Sequence, residues 1–75
     1  MIPASVSVIG DFAFYECKKL KNVLIPSNSQ IRSIGNYSFS KTLIESILLP
    51  STLSHIGMYA FSDCKMLNFM KIVND

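Results

Sequence analysis

The chain has 75 residues, of which 49% are hydrophobic and 16% charged, with a net charge of +2. That length allows one domain at most, and a single closed core of this size would be marginal. Weak charge and scattered basic residues, with the aromatics expected at repeat-core positions, argue against a nucleic-acid binder, which carries a basic stripe and stacking aromatics on one face.

The elements follow one order, met three times. After Ile2-Pro3 comes an apolar pair, Val6 and Ile9, expected to be an extended return segment or short strand. Gly10 follows, suited to a turn needing positive φ or to close backbone approach. The triplet Phe12-Ala13-Phe14 is expected to make one helical turn, its small middle residue packed against neighbouring chain, and Cys17 fits the turn beyond. Leu20-x-x-Val23-x-Ile25-Pro26 has the two-residue period of a strand buried on one face. Proline, lacking a backbone donor, then stops the ladder.

The second pass gives Ile31, Ile34, Gly35, Tyr37-Ser38-Phe39, Thr42 and Ile44-x-x-Ile47-x-Leu49-Pro50. The third gives Leu53, Ile56, Gly57, Tyr59-Ala60-Phe61, Cys64 and Leu67-x-x-Met70-x-Ile72-Val73. Prolines at 3, 26 and 50 set the period at 23 and then 24 residues. A fixed period in the twenties is the signature of a stacked solenoid. One unit, 1–75, is expected, with coils at about 2–24, 25–48 and 49–75. Phe14, Phe39 and Phe61 should form an interior column with offset or edge-to-face contacts. Proline-to-glycine spacings of 7, 9 and 7 place two extra residues in the second copy, and its Ser27-Asn28-Ser29-Gln30 stretch is expected to bulge as a loop.

These correlated positions resemble the BspA-like branch of the leucine-rich-repeat superfamily, over essentially the whole chain. The pattern carrying the likeness is Leu-x-x-Ile-x-Ile-Pro, then Val-x-x-Ile-Gly-x-x-Ala-Phe-x-x-Cys. Departures are Ser38 for Ala, Thr42 for Cys, and Val73 where a fourth proline would fall. The fold expected is α/β: a leucine-rich-repeat solenoid of three coils with parallel strands and short helical turns. The resemblance implies a right-handed horseshoe with the strands on its concave face. It also implies a place in surface-exposed or secreted proteins of bacteria and protozoan parasites, where adhesion is the usual role.

The residues that carry chemistry form no constellation. Cys17 and Cys64 share a column two coils apart, about 10 Å at the usual strand spacing, beyond the roughly 7 Å reach of a disulfide. A zinc site needs more ligands than two cysteines and the distant His55, which is expected to be a solvated surface residue. Asp11, Glu16, Glu45, Asp63 and Asp75 fall on outward or turn positions, and the isolated glycines make no phosphate loop. Neither a catalytic nor a cofactor site is expected. Asn36-Tyr37-Ser38 fits the glycosylation sequon, but Ser38 matches two alanines in a packed turn, so the tripeptide is taken as an accident of the repeat. No run approaches the roughly 18 apolar residues of a membrane span, and no signal peptide is read at the N-terminus.

Function is expected on the outward strand positions: Lys21, Asn22 and Leu24; Glu45, Ser46 and Leu48; Asn68, Phe69 and Lys71. Stacked in register they give the rows Lys21-Glu45-Asn68, Asn22-Ser46-Phe69 and Leu24-Leu48-Lys71. Leu24, Leu48 and Phe69 would form an apolar patch with a polar rim, as a protein contact requires. A non-catalytic protein-binding module of a larger surface protein is the first reading, and spacer coils of a long stalk the second. Solenoids need polar caps. With Leu67, Met70 and Ile72 uncovered, the isolated chain is expected to self-associate through its ends or to be marginally stable.

Overall fold

The computed structural model describes residues 2–73. Its strands are β1 (Val8–Ile9), β2 (Ser33–Ile34), β3 (Ser46–Pro50), β4 (His55–Ile56) and β5 (Phe69–Val73). The short strands β1, β2 and β4, the return segments of the sequence, form one parallel sheet in that order. Val8 lies beside Ser33 and Ser33 beside His55, so equivalent residues stack. The Pro-ended segments build a second parallel sheet in which β3 pairs β5 from Ser46↔Phe69 to Pro50↔Val73. The first such segment adds one bridge, Asn22 to Ser46, supported by Glu45 N–H donating to Lys21 O at 3.1 Å.

The alternation in β3 turns Ile47 and Leu49 inward, where they join Ile31, Ile34, Phe39 and Ile44, all essentially without solvent contact. This core lies in the middle repeat because that repeat is covered on both sides. The equivalent residues of β5, Met70 and Ile72, are 42% and 44% exposed against 1% for Ile47 and Leu49. Phe14, Phe39 and Phe61 form the interior column, with centroids 5.1 and 5.4 Å apart and rings within 12° of parallel. Edge-to-face contact is absent from this column because equivalent side chains on parallel-stacked backbone share one orientation.

The helical turns are not found; no helix occurs among the described residues. Turns take their place, with positive φ at Phe12 and Glu16, Tyr37 and Lys41, and Tyr59 and Asp63. In the first two turns the cause is hydrogen-bond accounting. In the first turn Phe12, Phe14 and Glu16 donate to Asn36, Ser38 and Ser40 of the next repeat, while Ala13, Tyr15 and Cys17 donate three residues back. An α-helix would claim every amide for its own chain, whereas here alternate amides bind the neighbour. A left-handed L-residue costs roughly 1–2 kcal/mol. Inter-repeat hydrogen bonds at about 0.5–1.5 kcal/mol each and aromatic stacking of similar size offset that cost.

No glycine has positive φ. Close approach is the reason for two of them: a Cβ on Gly35 would lie 2.5 Å from the Asp11 backbone nitrogen, and one on Gly57 2.5 Å from that of Asn36. Gly10 meets nothing within 4 Å. In the expected loop, Ser27, Asn28 and Gln30 are exposed, but Ser29 turns inward and accepts a hydrogen bond from Ile31 N–H at 3.2 Å. Ser38 fills its packed place at 0% exposure, yet its hydroxyl has no hydrogen-bond partner.

Candidate functional site

The outward residues of the second sheet are aligned by its register. Ser46 sits between Asn22 and Phe69, and Leu48 lies beside Lys71. Lys21, Glu45 and Asn68 follow one another through Glu45 N–H to Lys21 O and Asn68 N–H to Glu45 O at 3.0 Å. Each of these residues is exposed, as is Leu24. The apolar members keep most of their surface open: Leu24 is 66% exposed, Leu48 50% and Phe69 50%. Beta geometry forces this, since burying Ile47 and Leu49 turns Leu48 outward. A shallow open depression runs between the first two segments, lined by Asn22, Leu24, Ser46 and Leu48 among others.

A second ordered surface lies on the turns. Phe12 stacks on Tyr37 at 5.1 Å and Tyr37 on Tyr59 at 5.3 Å, and Phe12 and Tyr59 are exposed. Tyr15 meets the Phe12 and Tyr37 rings edge-on, and the Lys41 ammonium lies 5.7 Å from the Tyr15 ring centre. The neighbouring Tyr15 phenol raises the pKa of Lys41 above its usual 10.5, with Glu16 and Asp63 adding smaller upward pulls. This outer ladder corrects the expectation that the aromatics fill repeat-core positions, since Phe12 and Tyr59 are exposed; its signal is the first aromatic of each triplet, two residues before the interior phenylalanine.

Beside the ladder runs a relay of side-chain acceptors. Asp11 Oδ1 accepts Asn36 N–H at 2.8 Å, and Asn36 Oδ1 accepts Met58 N–H at 2.7 Å. The relay ends at Met58, whose thioether side chain offers only a weak acceptor. Further in, the Ser40 and Ser62 hydroxyls lie 2.9 Å apart.

The polar residues weighed for chemistry remain dispersed. Cys17 and Cys64 are free thiols; His55 is exposed on β4. Asp11, Glu16, Glu45 and Asp63 are exposed, and Asp75 lies outside the described residues. No group of three or more His, Cys, Asp or Glu that could hold a metal ion occurs among the described residues. No helix there is long and apolar enough to cross a membrane.

With stacked, in-register repeats established, the comparison with known families is decisive. The family model for the BspA type leucine rich repeat region (6 copies) matches residues 1–75. The chain belongs to this family. No curated protein and no solved structure matches it. Leucine-rich repeats commonly mediate protein–protein interaction and are typically non-catalytic, and those of BspA type are typically found in surface or secreted proteins. The BspA-type cysteine position is satisfied here by two chemistries. Cys64 Sγ donates to Phe39 O at 3.0 Å, and Thr42 Oγ1 donates to the same carbonyl at 2.9 Å. Thr42 therefore replaces Cys without orphaning its polar atom. Ser38, a second departure, does orphan one.

Proposed function

We propose that this chain is a non-catalytic protein-binding module, residues 1–75 forming one right-handed solenoid unit of three coils whose second sheet is the concave, ligand-facing side. It belongs to a larger adhesion-type protein of the cell surface or secreted space. The binding surface consists of Leu24, Leu48 and Phe69, rimmed by Lys21, Asn22, Glu45, Ser46 and Lys71. One observation carries the reading: three large apolar side chains stand at least half exposed on the aligned strand face. A partner covering them would remove apolar surface from water at about 25 cal/mol per Å², while the charged rim sets orientation and on-rate. The partner is a protein; neither nucleic acid nor insertion into the bilayer is involved, and no cofactor takes part. As an isolated chain the protein also self-associates through its end faces, where Met70 and Ile72 stay open.

The test is replacement of Leu24, Leu48 and Phe69 together by serine, followed by binding to intact cells and to immobilised extracellular-matrix proteins. Loss of binding with an unchanged thermal midpoint supports the strand face. Undiminished binding, or no binding by either form, favours the spacer role.

A further inference from the structure

At Ser38 the second repeat buries a polar group with no compensating contact inside the fold. Its equivalents are Ala13 and Ala60, its side chain is fully buried, and its hydroxyl makes no hydrogen bond. A buried, unpaired hydroxyl is a net cost that alanine would avoid. Outside the folded state, however, a serine two residues after an asparagine completes an acceptor tripeptide, Asn36-Tyr37-Ser38. That tripeptide is read on extended chain, before Ser38 is enclosed.

Asn36 has the geometry such an acceptor needs. It is exposed, and its two side-chain ends are used differently. Oδ1 receives Met58 N–H at 2.7 Å, which fixes the oxygen end of the amide toward the next repeat. The Nδ2 nitrogen makes no hydrogen bond among the described residues. A substituent on Nδ2 therefore leaves the acceptor relay intact. Neither Asp11 nor Met58, the equivalents in the other repeats, offers an amide nitrogen.

We propose that Asn36 is an N-glycosylation site, modified before the second repeat closes over Ser38. The inference rests on the secreted or surface placement proposed above. In the transfer, Nδ2 forms a bond to the anomeric carbon of an oligosaccharide carried on a polyprenyl diphosphate. The bond from that carbon to the diphosphate oxygen breaks, the lipid diphosphate leaves with the electron pair, and Nδ2 gives up one proton. No oxidation or reduction is involved. The finished glycan is attached next to Tyr37, the middle ring of the outer aromatic ladder.

The full chain, placed behind a cleavable leader and translated with microsomes, tests this. Expected is one endoglycosidase-sensitive mass increase that maps to Asn36, is lost in Asn36→Gln and Ser38→Ala, and persists in Ser38→Thr. Unglycosylated Ser38→Ala should melt above the unglycosylated parent. Leader cleavage reports entry independently, so an unmodified Asn36 on a cleaved chain overturns the proposal. Source-cell protein that reaches the surface or medium with Asn36 unmodified also overturns the proposal, whereas protein retained inside the cell refutes the secretory placement on which it rests.

Discussion

Adding one methyl group at each glycine in turn separates close approach from conformational freedom. At all three sites φ lies outside the left-handed region, so alanine meets no backbone strain there. On chain entropy alone, each Gly→Ala change stabilises by about 0.4–1 kcal/mol. Space decides the rest. At Gly10 the new Cβ meets nothing within 4 Å, so Gly10→Ala keeps the entropic gain. At Gly35 it would stand 2.5 Å from Asp11 N and 2.6 Å from Gly10 C, and at Gly57 2.5 Å from Asn36 N and 2.6 Å from Gly35 C. These are backbone atoms held by the Gly35 N–H to Ile9 O and Gly57 N–H to Ile34 O bonds, each 2.7 Å, so they do not yield as a flexible side chain would. Overpacking of this kind costs about 1–3 kcal/mol or more, which exceeds the gain. Urea unfolding and thermal melts of the three variants provide the readout, with about 4–8 °C expected per kcal/mol in a domain of this size. Gly10→Ala should melt higher than the parent, and Gly35→Ala and Gly57→Ala lower. Three equal shifts, or a loss at Gly10 as large as at Gly35, would refute the argument from stacked backbones.

Two further perturbations probe the columns. Phe39→Ala removes the ring stacked on both sides, at about 3–5 kcal/mol; Phe61→Ala removes a half-buried ring and should cost clearly less by urea midpoint. Head-to-tail association of two copies would set Asp63 against Glu16 and Lys65 against Lys18, like charges in continued columns. The isolated chain should accordingly associate more at 1 M than at 0.1 M salt, since the Debye length falls from about 10 to about 3 Å. Asp63→Lys should raise the mass at 0.1 M salt in sedimentation equilibrium. Salt-independent mass with no response to Asp63→Lys would reject this route of association.

Stacking order was legible because it needs only equal spacing. Asn22, Ser46 and Phe69 can be put in one row by counting back from Pro26, Pro50 and Val73, and the bridge and register place them so. Burial was legible where the two-residue period holds, as at Ile47 and Leu49. The turns were not legible, because local preference and outcome disagree. Phenylalanine and tyrosine disfavour positive φ, yet Phe12 and Tyr37 adopt it with their amides taken by the neighbouring repeat, and Tyr59 repeats the same backbone in the last turn. Nor could counting reveal that Asp11 and Asn36 reach across to the next backbone, since those bonds join residues 25 and 22 apart in sequence.

The division of amides in the turns has a consequence for how the molecule forms. A turn that sends Phe12, Phe14 and Glu16 N–H groups to residues 36, 38 and 40 is incomplete until the following stretch of chain has arrived. A single repeat in water therefore lacks a self-sufficient conformation, and order must propagate from one layer to the next, as in a zipper seeded at the doubly covered centre. Melting should run the other way, with the outermost layers loosening first and protection from amide exchange deepest around Phe39.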